Sequence, residues 1–134
     1  MANLPGATPI SLIQESVDNM GTLYLGNWKG AKDVDHLENS KVAFVLSVTP
    51  AKKTYAKKYV KKQIAHKIIE ADDHEDFDMS THFEDAADYI NESLAKGSVF
   101  VHCMGGISRS VSCVIAYLIK YRGMSFEDAL ALVK

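Results

Sequence analysis

The sequence predicts an α/β domain with a mostly parallel central sheet flanked by helices, and three observations carry that expectation. Val99-Phe100-Val101 is an unbroken β-prone apolar run, the mark of a strand buried on both faces. The pair Gly105-Gly106 follows. Beyond it Val111, Val114, Ile115, Ala116, Leu118 and Ile119 form a dense apolar run that suits a helix buried on nearly every side. Val42 to Val48 is another buried-strand pattern, closed by Pro50. Strands that alternate with helices in this way build parallel sheets, with sites at the carboxyl ends of the strands. A chain of 134 residues suffices for one core and is too short for two, so a single domain is expected.

Residues 1–20 read as a lead-in, with Ile10 to Met20 as a short helix, and residues 21–134 as the domain. Thr22 to Gly26 is a strand closed by a turn. Gly30 to Leu37 fits a short helix, because Ala31, Val34 and Leu37 share one face. Seven lysines lie between Lys52 and Lys67, either a solvated face or a basic patch for anionic partners with Tyr55 and Tyr59 interleaved. Ile64 to Ile69 is a third strand candidate. From Glu70 to Glu92 there is neither lysine nor arginine. Thr81 and Glu84 have capping-box spacing, Phe83, Ala86, Ala87, Ile90 and Leu94 make one apolar stripe, and Gly97 is the natural stop. After a break at Gly123, Ser125 and Asp128 form a second capping box ahead of a stripe of Phe126, Ala129, Leu130 and Val133.

The formal net charge of −2 argues against general nucleic-acid binding. Cys103 and Cys113 are the two cysteines of the chain and lie in one loop-and-helix unit, so no disulfide framework is expected and a reducing compartment is. His36, His66, His74 and His82 share no ligand-like spacing, and no metal is expected. There is no basic leader ahead of an apolar run, and the stretch from Val111 to Ile119 is too short to span a bilayer. A soluble cytosolic or nuclear protein is the expectation.

The stretch from Val99 to Ser110 is strand, tight loop and helix start, and that order has a chemical consequence. The first N–H groups of a helix lack internal partners, and the helix dipole places partial positive charge there. Gly105 and Gly106 let the loop curl with its amides inward, a nest for phosphate oxygens. Arg109, the sixth residue after Cys103, carries a planar fork that can hold two such oxygens. A thiol at a helix N-terminus beside an arginine ionises readily, so Cys103 is the candidate nucleophile and Ser110 the group that hydrogen-bonds the departing thiolate. His102, the last residue of the strand, is expected to orient that nucleophile. Cys113 reads as a core thiol, with a resolving cysteine for oxidised Cys103 as the alternative.

At His102, Cys103, Arg109 and Ser110 the sequence resembles the cysteine-dependent phosphatase superfamily, whose signature is H-C-x-x-x-x-x-R-S/T. The fuller string V-H-C-M-G-G-I-S-R-S, with I-A-Y-L at Ile115 to Leu118 and L-Y-L-G-N at Leu23 to Asn27, resembles the small dual-specificity phosphatase branch. The resemblance implies a phosphate loop of Met104, Gly105, Gly106, Ile107, Ser108 and Arg109, no cofactor, and a phosphoprotein substrate. Transfer of phosphate to a thiolate leaves an oxyanion that a protein acid must protonate. The resemblance places that acid in Ala71 to Phe77, at Asp73, with Asp72 as runner-up; Asp72, Glu75 and Asp76 would raise its affinity for a proton by like-charge repulsion.

The implied function is a metal-independent phosphatase acting on phosphotyrosine and on phosphoserine or phosphothreonine through a phosphocysteine. A phosphoinositide or RNA 5′-phosphate phosphatase is one alternative, and a phosphoprotein-binding module with little turnover is another. Two departures stand out. Ser47 occupies a position where the family usually has asparagine, which is expected to weaken a bracing bond to the loop. The family also usually carries a further helix beyond the position of Lys134, so an exposed apolar surface is expected.

Overall fold

The computed structural model describes residues 10–15, 20–50, 54–70, 82–104 and 109–133. Its strands are β1 (Ile10–Gln14), β2 (Leu23–Gly26), β3 (Val42–Val48), β4 (Ala65–Ile69) and β5 (Ser98–His102), in the spatial order β1-β2-β5-β3-β4. The pairs β2/β5, β5/β3 and β3/β4 are parallel, and β1 adds to the edge antiparallel to β2. β5 therefore lies at the centre of the sheet, and Val99, Phe100 and Val101 are fully buried, as an unbroken apolar run requires.

The helices are α1 (Trp28–Lys32), α2 (Val34–Asn39), α3 (Ala56–Lys61), α4 (Phe83–Leu94), α5 (Arg109–Arg122) and α6 (Phe126–Val133). Alternation along the strands divides the core in two. Leu23, Leu25, Leu46, Val48, Val99 and Val101 pack with α4, α5 and α6 on one face. Val45 and Phe100 pack with Ala31, Leu37 and Tyr59 on the other. The result is a three-layer α/β domain whose central strand delivers its C-terminal residue, His102, to the carboxyl edge of the sheet.

Several expectations are corrected. Ile10 to Met20 does not begin as a helix; Ile10–Gln14 is strand β1, so the sheet includes residues assigned to the lead-in. Without β1 the second strand would present an unpaired backbone edge, and pairing there outweighs local helical preference; Ile13 is buried in the process. The helix expected over Gly30 to Leu37 is two helices. Asp33 closes α1 through its N–H to the Gly30 carbonyl and caps α2 by accepting from the His36 N–H at 3.2 Å.

α4 starts at Phe83 with His82 as its N-cap, and the predicted Thr81 box lies outside the described residues. Its last residue is Leu94, and Gly97 closes the end as expected, donating its N–H to the Ser93 carbonyl at 2.9 Å; a Cβ there would also meet the Ala43 Cβ at 3.0 Å. Ser125 does cap α6, accepting from the Asp128 N–H at 3.1 Å.

Tyr59, read as part of an exposed basic stretch, is fully buried and donates to the Ala31 carbonyl at 2.7 Å. The lysines around it are partly tied down, with Lys62 bridging Asp35 and Glu38 and Lys67 facing Asp85. On the far side Ile119 and Phe126 are exposed rather than buried, and with Phe83, Ser112, Ile115 and Ala116 they line a groove of about 240 Å³. No helix among the described residues is long and apolar enough to cross a membrane.

Candidate active site

Cys103 is the first residue past β5, and Arg109 is the first residue of α5. A short loop thus turns a central buried strand directly into a buried helix. Both ends of the loop are held. Cys103 is 2% exposed, and Ser110, in the first turn of α5, donates its hydroxyl to the Cys103 Sγ at 3.1 Å. Arg109 is buried to 9% exposure at the same junction, as the first residue of a fourteen-residue helix whose dipole places partial positive charge there. The structure therefore sets the Ser110 hydroxyl on the Cys103 sulfur, with Arg109 as the residue immediately before Ser110. Met104 follows Cys103 and is partly buried. Gly105, Gly106, Ile107 and Ser108 lie outside the described residues, as do Asp72, Asp73, Glu75 and Asp76.

Strand β4 ends at the carboxyl edge of the sheet. In the parallel register Ser47 is level with both Ile68 of β4 and His102 of β5, so β4 ends where Cys103 begins. Cys113, by contrast, is embedded in α5, and burial, with Cys103 nearby, pushes its thiol up to about 12. Neither cysteine is in a disulfide.

His102 is fully buried, stacked on Phe100 with ring centroids 5.6 Å apart. Its Nδ1 lies 3.3 Å from the Cys103 carbonyl oxygen. Its Nε2 is 2.6 Å from the Ser47 hydroxyl, and the same hydroxyl is 2.7 Å from Nε2 of His66. The predicted weakening of a bracing bond from Ser47 to the loop falls on residues outside the described ones; the structure makes the Ser47 hydroxyl the joint between two imidazoles. The available signal was a serine inside the apolar run Val-Ala-Phe-Val-Leu-Ser-Val, since a hydroxyl buried in a central strand requires a partner.

Burial holds the proton affinity of His102 down, to a pKa of about 4, against the opposing pull of the Cys103 carbonyl; proximity to His66 adds to the lowering. His66 is lowered by burial as well. In the unfolded chain a histidine titrates near its ordinary ~6.5. Between that value and about 4 the unfolded state binds more protons than the folded state, so stability rises with pH across that window. Acidification from pH 7 to 4 is accordingly expected to cost on the order of 3 kcal/mol at this site, a tenfold difference in proton affinity being worth about 1.4 kcal/mol. Urea unfolding at a series of pH values would show it, and a His102→Gln variant should lose most of the slope.

A cysteine and an arginine at the two ends of a strand–loop–helix turn form an arrangement that can hold an anion beside a thiol. The family model described as the dual specificity phosphatase catalytic domain matches residues 23–134. The Arabidopsis thaliana dual specificity protein phosphatase 1B is 34% identical over 132 residues, which cover 98% of this chain and 73% of that protein. The Drosophila melanogaster dual specificity protein phosphatase Mpk3 is 38% identical over 115 residues, 85% of this chain and 28% of the relative, so the chain spans under a third of that protein's length. Among solved structures human DUSP28 superposes with a TM-score of 0.76 at 24% identity, over 97% of this chain and 82% of that one, which speaks for the fold. The chain belongs to the dual-specificity phosphatase catalytic-domain family.

Proposed function

We propose that this chain hydrolyses phosphotyrosine and phosphoserine or phosphothreonine in proteins through a phosphocysteine formed on Cys103. The observation that carries the reading is the Ser110 hydroxyl donating to the Cys103 sulfur at 3.1 Å, with Arg109 buried beside it at the helix start. A hydrogen bond from serine to sulfur stabilises negative charge on that atom, which is what a thiolate needs both when it attacks and when it leaves.

In the first step the Cys103 thiolate attacks phosphorus in line. The P–S bond forms as the ester P–O bond breaks, and Asp73 donates a proton to the leaving oxygen. Loop amides and the Arg109 guanidinium hold the equatorial oxygens throughout. In the second step water attacks the phosphocysteine and gives its proton to Asp73. The S–P bond breaks, inorganic phosphate forms, and the Ser110 hydroxyl receives the returning thiolate. Every atom and proton is accounted for without a cofactor.

The breadth of substrate is supported by the family match, whose model is described as a dual specificity phosphatase catalytic domain. Comparing one preparation on a phosphotyrosine peptide, a phosphothreonine peptide, a phosphoinositide and an RNA 5′-triphosphate tests this. Turnover of both peptides is expected. Turnover confined to the lipid or the RNA would overturn the substrate assignment, and tight peptide binding without turnover would make the chain a recognition module.

A further inference from the structure

The hydrogen-bond chain behind the nucleophile has a forced direction. A carbonyl oxygen can only accept, so the bond between His102 Nδ1 and the Cys103 carbonyl requires the proton on Nδ1. Because burial keeps this imidazole neutral, its Nε2 is bare and must accept from Ser47. Ser47 then has no second proton to give, so His66 donates from its Nε2 to the Ser47 hydroxyl oxygen. The order is His66 to Ser47 to His102 to the Cys103 carbonyl.

Both imidazoles are fixed from the side as well. The Tyr59 ring meets His66 edge-on with centroids 4.7 Å apart, and Tyr59 is itself tied to the Ala31 carbonyl at 2.7 Å. Phe100 stacks on His102. The three polar residues lie on three adjacent parallel strands, β4, β3 and β5, on the sheet face away from α5. Cys103 is therefore held from two directions: Ser110 reaches its sulfur from the α5 side, and the relay reaches its backbone from the opposite face.

We infer that His66 is a positioning residue for the nucleophile, acting through Ser47 and His102 to fix the Cys103 backbone at the entrance to the phosphate loop. The inference rests on the reading of Cys103 as the nucleophile. His66 touches no reacting atom; half-buried on the outer strand, it orders the proton pattern of two buried groups whose last bond pins the carbonyl next to the thiolate. Releasing that carbonyl lets the sulfur wander from in-line attack, and small misplacements of a reacting atom are costly in rate.

The test compares His66→Phe, which keeps the ring and removes the donor, with His66→Gln, which restores a donor. Ser47→Ala and the Ser47→Ala/His66→Phe double variant are measured beside them, and Cys103→Ser serves as the reference for the chemistry. His66→Phe and Ser47→Ala should each lower kcat on the order of 10-fold with little change in KM, and the double variant should be no slower than the worse single one. His66→Gln should recover most of the rate. In the wild-type protein, long-range ¹H–¹⁵N spectra of the imidazoles should place the proton on Nε2 of His66 and on Nδ1 of His102, a readout that does not depend on any variant folding.

A wild-type kcat in folded His66→Phe, independent losses that multiply in the double variant, a His66→Gln no faster than His66→Phe, or the opposite tautomers would overturn the assignment. If Cys103→Ser is inactive while His66→Phe is fully active, only the positioning role fails. If Cys103→Ser turns over normally, the nucleophile assignment fails and the positioning role with it.

Discussion

Cys103→Ser is expected to lose turnover by on the order of 10⁴-fold or more while phosphate and vanadate still bind, because the substitution removes the nucleophile and leaves the anion cradle in place. A serine hydroxyl at this position is un-ionised at neutral pH and is a poor nucleophile toward phosphorus. Binding depends instead on the first N–H groups of α5 and on Arg109, neither of which changes. Isothermal titration with vanadate and steady-state kinetics on a phosphopeptide separate the two effects. Loss of anion binding together with turnover would mean that Cys103 supports the loop rather than attacks. The neighbouring Cys113→Ser should retain turnover, since that thiol is buried in α5 and its proton is held up to about 12.

The second large effect belongs to Asp73. Protonation of the leaving oxygen matters most when that oxygen departs reluctantly, and hardly at all for an activated aryl phosphate. Asp73→Asn should therefore slow a phosphoserine peptide by about 10²–10⁴-fold while an activated substrate loses far less. The same variant should lose the alkaline limb of the kcat/KM profile, which reports ionisation of the acid. Asp72→Asn should do neither. Equal losses from both variants on every substrate would make Asp73 structural and move the proton donor elsewhere in the segment, with Asp76 next.

The parts of the molecule that were legible in the sequence are those whose reasons are local. Val99 to Val101 is apolar because β5 is covered on both faces, and Gly123 breaks the chain with a φ of +67° where α5 ends. The contact between Ser110 and Cys103 is legible because a single strand-to-helix turn separates them in the sequence. Strand β1 was not legible, since Ile-Ser-Leu-Ile-Gln fits either period over so few residues and becomes a strand through the bare edge of β2.

The histidine relay was hidden for a similar reason. His66 stands 19 residues from Ser47, and Ser47 stands 55 from His102, so the three meet only once β4, β3 and β5 take their register. The position of Ser47 did announce a demand for a partner. Which residue would meet it depended on strand order. The exposure of Phe126 is likewise a matter of packing: helical spacing identifies a stripe, while the packing of α5 against α6 decides how far that stripe is covered.

The central claim is covalent catalysis on Cys103, and the most direct measurement is to trap the intermediate. Ser110→Ala removes the hydrogen bond to the sulfur and should slow departure of the thiolate more than its attack, so phosphoenzyme accumulates. Rapid mixing with an aryl phosphate, acid quench, and mass spectrometry after cleavage at Arg109 separates the peptide of Cys103 from that of Cys113. The account predicts a single phosphoryl group on the Cys103 peptide, more abundant in Ser110→Ala than in wild type and absent in Cys103→Ser. Turnover in Ser110→Ala with no phosphorylated Cys103 peptide at any quench time, or phosphate carried on another residue, would contradict it.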